Sequence, residues 1–128
     1  MTVIDFITDT LREAGAYARE RYTNRAPLDI AQKSDLNDLV TEADLTVQRM
    51  VVERIHGTFA GDYVLAEESG FGLPPESRPE RCWVLDPIDG TQNFVRGLFP
   101  AWGISLAFLD CGVMAAGGVL FPMTGDLF

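Results

Sequence analysis

Trp83-Val84-Leu85-Asp86-Pro87-Ile88-Asp89-Gly90-Thr91-Gln92-Asn93-Phe94 is the stretch on which the reading of this chain turns. An apolar strand delivers two carboxylates, Asp86 and Asp89, into a segment bent by proline and glycine. Pro87 fixes its own φ and holds Asp86 extended. Gly90 tolerates backbone angles that other residues avoid. The two carboxylates can therefore converge at a strand end, where they repel unless a positive charge lies between them. Oxygen donors with no nearby His or Cys suit a hard cation, Mg²⁺ before Zn²⁺. Thr91 adds a hydroxyl, and the amides after Gly90 can open a helix towards an anion. Turn chemistry alone also accounts for Asp, Pro and Gly in a row, so an isolated Asp-Pro-x-Asp-Gly is equally a strand followed by a polar turn.

The remainder of the chain bounds what such a site can serve. The length of 128 residues makes one domain with a real core. With 47% apolar and 23% charged residues, the composition is that of a soluble globular protein. The net charge of −9 disfavours nucleic acid and anionic membranes as partners. It equally repels a phosphate ester unless metal ions reverse the local sign. Cys82 and Cys111 lie in apolar runs and read as reduced, buried thiols rather than a secreted disulfide framework. Acidic residues within 1–22 exclude a signal peptide, so a cytoplasmic location is expected. Between Gly97 and Pro122 the only charge is Asp110. A membrane span there would place it mid-bilayer, at roughly 2.5–3.5 kcal/mol. A turn at Asp110-Cys111-Gly112 between two strands fits better.

Val3, Ile4, Ile7, Leu11, Ala14, Ala18 and Tyr22 recur at helical spacing and predict one amphipathic helix, ended by Asn24 and Pro27. Residues 25–40 read as polar and irregular. A second helix is expected from about Thr41, with Val47, Met50, Val51, Ile55 and Phe59 inward. Asp44, three residues after Thr41, can complete a capping box there. Tyr63–Ala66 reads as a strand ending at Glu67-Glu68, and 70–81 as a loop. Cys82–Leu85 is the strand that carries the aspartates. Residues 91–96 suggest a helical turn, and 102–109 and 113–121 an antiparallel pair apolar on both faces. Thr124-Gly125-Asp126 is a further turn, with Leu127-Phe128 opening a strand that has no partner in view. The chain therefore reads as part of a longer one that associates through exposed apolar surface.

The string Asp86-Pro-Ile-Asp-Gly-Thr-x-Asn-Phe94 resembles the signature of the inositol monophosphatase family of Mg²⁺-dependent, lithium-sensitive phosphatases. Asp38-Leu-Val-Thr-Glu-Ala-Asp44 and Ala66-Glu-Glu-Ser69 agree with that family in order and spacing. The resemblance covers all 128 residues as the N-terminal, metal-binding part of the family's domain, the C-terminal part lying beyond residue 128. It implies an α+β fold, two helices packed on an antiparallel sheet, the first half of a layered αβαβα architecture. It implies Glu67, Asp86, the Ile88 carbonyl and Asp89 as metal ligands, with one more aspartate of the second metal site in the C-terminal part. Asp44 and Thr91 are implied to orient and deprotonate the attacking water, the Gly90 and Thr91 amides to cradle the substrate phosphate, and Lys33 to act from a mobile loop. Taken alone, Glu67 and Glu68 read as solvated charges at a strand end, and Lys33 as a surface lysine. His56 carries no sign of a role, and Phe94 and Trp102 read as core anchors.

The function that follows for the parent protein is hydrolysis of a small phosphorylated alcohol or sugar, with inositol 1-phosphate as default substrate and a homodimer as the expected assembly. Residues 93–103 also resemble family members acting on histidinol phosphate, and nucleotide 3′-phosphates and fructose 1,6-bisphosphate are further substrates of related enzymes. The rivals from another class are a non-catalytic truncated fragment that keeps a metal-binding fold, and an interaction module presenting its open apolar face.

Overall fold

A computed structural model describes residues 1–24, 33–66, 77, 79–89, 94 and 102–128, with 33–41 by their backbone alone. Two helices, α1 (Val3–Thr23) and α2 (Lys33–Thr58), precede five strands: β1 (Tyr63–Ala66), β2 (Arg81–Asp89), β3 (Gly103–Asp110), β4 (Val113–Phe121) and β5 (Asp126–Leu127). The strands form one sheet in the order β1-β2-β3-β4-β5. Its pairings are antiparallel except at one edge, where β1 runs parallel to β2 with Ala66 opposite Leu85.

Helix α1 starts where local chemistry demands. The Thr2 hydroxyl accepts from the Asp5 amide at 3.1 Å, and the Asp5 carboxylate accepts from the Thr2 amide at 2.9 Å. This reciprocal box satisfies two amides that have no partner inside the helix. The same Thr2 bonds hold the Asp5 carboxyl below its ordinary pKa. The expected inward stripe is present from Ile7 to Tyr22, with Phe6 added to it. Ile4 departs from expectation and stays exposed, because it lies over the sheet edge beside Leu127 and Phe128 rather than over the core. Close approach of α1 to the sheet depends on Gly118 of β4, where a Cβ would stand 2.9 Å from both Ile7 Cγ2 and Leu11 Cδ1.

Helix α2 begins at Lys33, eight residues before the expected start at Thr41 (41 − 33). Two readings change with it. Lys33 opens a helix instead of belonging to a loop, and Asp44 sits inside the helix, so it does not cap its start. Ala43, Val47, Val51 and Ile55 recur every fourth residue and are fully buried. Burial of Val47, Val51 and Ile55 contributes about 1.5–3 kcal/mol each.

At the Arg81 end of β2 the core closes on a charged cluster. Asp62, buried just after α2, accepts from Arg81 Nε and from Trp83 Nε1, both at 2.8 Å. The Arg81 guanidinium also lies over the rings of Phe59 and Phe108, 5.2 and 4.6 Å from their centroids. Trp83 completes an aromatic group with Phe6, Phe59 and Phe108.

Strands β3 and β4 confirm the expected hairpin. Its turn places Cys111 at φ 52° and Gly112 at φ 79°, the paired positive values of a two-residue turn matched to strand twist. Cys111 is therefore exposed, against the expectation of a buried thiol, while Cys82 is buried. Leu127 is not left unpaired: it stands opposite Leu120, and Phe128 and Val119 exchange two backbone hydrogen bonds of 2.9 and 3.0 Å. Among the described residues the hairpin is covered on one face only. Ile104, Leu106, Phe108 and Leu120 join the core with the helices, whereas Val113 and Met114 are exposed. The opposite sheet face carries a shallow apolar groove of about 410 Å³ containing Val84, Ala107, Met114 and Val119. Among the described residues no helix is long and apolar enough to cross a membrane.

Candidate functional site

Strand β2 does not stop at Leu85; it continues through Pro87 to Asp89. Pro87 has no amide to give to the ladder, and a proline inside a sheet is confined to edges and bulges. The register shows such an irregularity. Asp86 stands opposite Ser105 and Asp89 opposite Gly103, so three steps on β2 match two on β3. Ser105 and Gly103 are two apart and share one face of β3. Their partners Asp86 and Asp89 are therefore brought into phase, on the face away from the helices. Without the bulge, residues three apart would point to opposite faces. Asp86 is half-buried and borders the open groove with Ser105, while Asp89 is exposed. Between them Pro87 and Ile88 are buried, and the Ile88 side chain belongs to the core shared with the helices.

Two other elements reach the same end. Parallel pairing sends β1 and β2 in one direction, with Ala66 level with Leu85. Glu67 follows Ala66 in sequence as Asp86 follows Leu85. Helix α2 is joined to β1 by a short turn and so runs antiparallel to both strands. From Thr58 back to Asp44 it rises about 21 Å at 1.5 Å per residue. From Arg81 to Asp86 and Asp89 the strand advances about 17 and 26 Å. On these lengths Asp44 falls towards the same end of the sheet as the two aspartates, and it is buried.

The donors at this end are oxygen atoms. Both cysteines lie at the far end, Cys82 at the start of β2 and Cys111 in the β3–β4 turn, and His56 is exposed in the last turn of α2. A hard divalent cation suits such a set better than zinc. Among the described residues no three His, Cys, Asp or Glu side chains form a metal cluster. Glu67, Gly90 and Thr91 lie outside the described residues, as does the side chain of Lys33 and the helical turn expected over 91–96 apart from Phe94.

Phe94 and Trp102 are core residues, as expected, and they share their cluster with Tyr22 from the last turn of α1. The ring centroids are 4.9 Å apart for Phe94–Trp102 and 5.4 Å for each ring with Tyr22. The sequence shows Tyr22 only as an apolar helix position. Ser105 likewise carries no signal in the sequence, because its place opposite Asp86 depends on a cross-strand register.

The description of the inositol monophosphatase family matches residues 1–128 throughout. The chain belongs to this family. It is 40% identical over 98 residues to a fructose-1,6-bisphosphatase/inositol-1-monophosphatase of Thermotoga maritima, covering 77% of this chain and 36% of that protein. It is 35% identical over 107 residues to a histidinol-phosphatase of Chlorobaculum parvum, covering 84% and 39%. The fold superposes on the crystal structure of inositol monophosphatase II from Staphylococcus aureus with a TM-score of 0.80 at 30% identity, covering 99% of this chain and 44% of that one. The chain thus spans less than half the length of these relatives.

Proposed function

We propose that the carboxyl end of β2 is the metal-binding part of a phosphomonoesterase centre. The observation that carries this reading is the bulge at Pro87, which turns Asp86 and Asp89 to one face at the end where Asp44 also lies. Glu67, Asp86, the Ile88 carbonyl and Asp89 would hold Mg²⁺. Bound there, the ion supplies charge neutralisation for the phosphoryl oxygens and lowers the pKa of water. Asp44 and Thr91 orient the attacking water and accept its proton. The Gly90 and Thr91 amides receive the phosphate, and Lys33 adds a positive charge near the start of α2. The substrate class is a small phosphate monoester, with inositol 1-phosphate first, in keeping with the name of the Thermotoga relative. The name of the Chlorobaculum relative supports histidinol phosphate as the second choice. The assembly carried by the resemblance is a homodimer, and the acidic surface disfavours nucleic acid and membranes.

Phosphate release from a panel of monoesters, with Mg²⁺ and with EDTA, tests this on the 128-residue chain and on any longer reading frame that contains it. Release that requires Mg²⁺ is expected in the longer protein; release that survives EDTA refutes the metal assignment. Thr91→Ala and Asp44→Asn should lower kcat by about 10²-fold or more while leaving the Mg²⁺ requirement nearly unchanged. Loss of Mg²⁺ binding, with a normal rate at saturating metal, would show that these residues serve the ion and not the water.

A further inference from the structure

We infer that the cleft between α1 and α2 is a binding site for a small amino alcohol, separate from the centre proposed on β2. Among the described residues the buried polar side chains are Thr10, Asp44 and Asp62. Asp62 is matched to Arg81 and Trp83, and Asp44 belongs to the proposed centre. Thr10 serves neither. It stands on the inward stripe of α1, 1% exposed, and its hydroxyl has no hydrogen-bond partner among the described residues. A helical threonine can donate to the carbonyl four residues back, and this one does not. A buried hydroxyl left unmatched is costly. Thr10 lines a cleft of about 310 Å³ between the two helices, within the size of small-molecule sites.

The other lining groups define the ligand. Arg54 of α2 donates through Nη1 to Glu13 of α1 across the cleft. Its Nε is buried and, like the Thr10 hydroxyl, has no partner among the described residues. Two unused donors in one cleft call for an acceptor oxygen. Ala14 and Val51 are buried in the wall and Met50 is half-buried, which suits a short hydrocarbon. Glu13 and Glu53 are exposed at the mouth. Glu13 is engaged by Arg54, whereas Glu53 has no ion-pair partner among the described residues. Its charge attracts an ammonium and repels an anion. The ligand is therefore a cation that also carries a neutral oxygen. Its hydroxyl accepts from Arg54 Nε and exchanges a hydrogen bond with Thr10, its carbon chain covers Met50 and Val51, and its ammonium faces Glu53. Arg54 lies ten residues from Asp44 along α2 (54 − 44), about 15 Å away, so the cleft is distinct from the carboxyl end of β2.

An NMR titration of the isotope-labelled protein with L-leucinol tests the site. Isoamylamine, which lacks the oxygen, and isocaproate, which reverses the charge, are titrated beside it. Leucinol should shift the amide signals of residues 10–14 and 50–54 saturably, with a Kd of about 1–10 mM, as suits a ligand of this size in an open cleft. The amine should bind at least about threefold more weakly, and the acid should show no saturable binding. Thr10→Val keeps the shape and removes the hydroxyl. It should weaken leucinol about fivefold, leave the amine unchanged and not lower the denaturation midpoint. Glu53→Gln should weaken leucinol and the amine alike, by about twofold or more. Equal affinity for leucinol and the amine, saturable binding of the acid, or leucinol affinity unchanged in Thr10→Val overturns the inference. Absence of a saturable shift up to about 50 mM leucinol overturns it as well and makes the cleft a water-filled crevice.

Discussion

The two tryptophans mark opposite ends of the sheet, and they are treated differently. Trp83 is ringed by Phe6, Phe59 and Phe108, and its indole N–H donates to Asp62 at 2.8 Å. Trp102 is equally buried between Tyr22 and Phe94, yet its indole N–H has no partner among the described residues. The nearby carboxylates follow the same division. Asp62 is matched to Arg81 in a closed group of hydrogen bonds and ring contacts. At the other end a bulge brings Asp86 and Asp89 to one side of the sheet. A carboxylate neutralised by the protein is a structural element. Carboxylates gathered at one end of a sheet offer oxygen donors of the kind a hard cation takes. The first end holds the fold, and the second carries the proposed metal site.

Removing Asp62 should have the largest effect on stability. Asp62→Ala deprives a buried indole N–H and a guanidinium of their acceptor at once. A loss of about 2–3 kcal/mol is expected by chemical denaturation, because Arg81 is partly exposed and recovers some hydration. A change under half a kcal/mol would remove the distinction between the two ends. Exchanging the tryptophans sharpens it. Trp83→Phe should cost about 1–2 kcal/mol more than Trp102→Phe, since only the first abandons a hydrogen bond and strands its acceptor. Equal losses would mean that Trp102 has a partner after all.

The smallest effect concerns the hairpin tip beyond Arg81. Hydrogen bonding to Asp110, and then its charge, push the Cys111 thiol above its ordinary pKa. The thiolate is the reactive form, so Cys111 should label slowly near pH 8 despite its exposure. Asp110→Asn should speed labelling severalfold by lowering that pKa, and the advantage should shrink as pH rises past both values. Cys82, buried, should label only on unfolding. Labelling of Cys111 unaffected by Asp110→Asn would contradict the cause assigned to the shift.

The strands and α1 were readable from the sequence because their apolar periods are strong. Tyr63–Ala66, the hairpin and its Asp110-Cys111-Gly112 turn all stand where the pattern puts them. The start of α2 was not readable, since Lys33-Ser-Asp-Leu-Asn-Asp38 offers polar residues that serve turns as well as helices. The parallel sense of β1 was hidden too: it depends on a crossover of about a dozen residues or more, a length that 67–80 provides without a recognisable pattern. Exposure of Cys111 followed from the turn itself, which outweighs the burial tendency of a thiol. At the site, the aspartates were visible as a motif, but the device that aligns them was not. Pro87 reads as a turn in sequence, whereas in the sheet it sits within a bulge whose register depends on β3. Tyr22 joined the Phe94 cluster only through the packing of α1.

The division between the two ends is tested most directly by one pair of substitutions scored on two scales. Asp86→Asn and Asp62→Asn each replace a carboxylate by its neutral isostere. Mg²⁺-dependent phosphate release and the denaturation midpoint are measured for both in a protein of this sequence that turns over a monoester. The account predicts that Asp86→Asn lowers turnover by at least about 10²-fold and lowers the metal-free midpoint less than Asp62→Asn does. Asp62→Asn should lower the midpoint while keeping turnover within about twofold at temperatures where the protein is folded. If Asp86→Asn instead turned over normally in Mg²⁺, or if Asp62→Asn abolished turnover in a folded protein, the assignment of binding to one end and stability to the other would be contradicted.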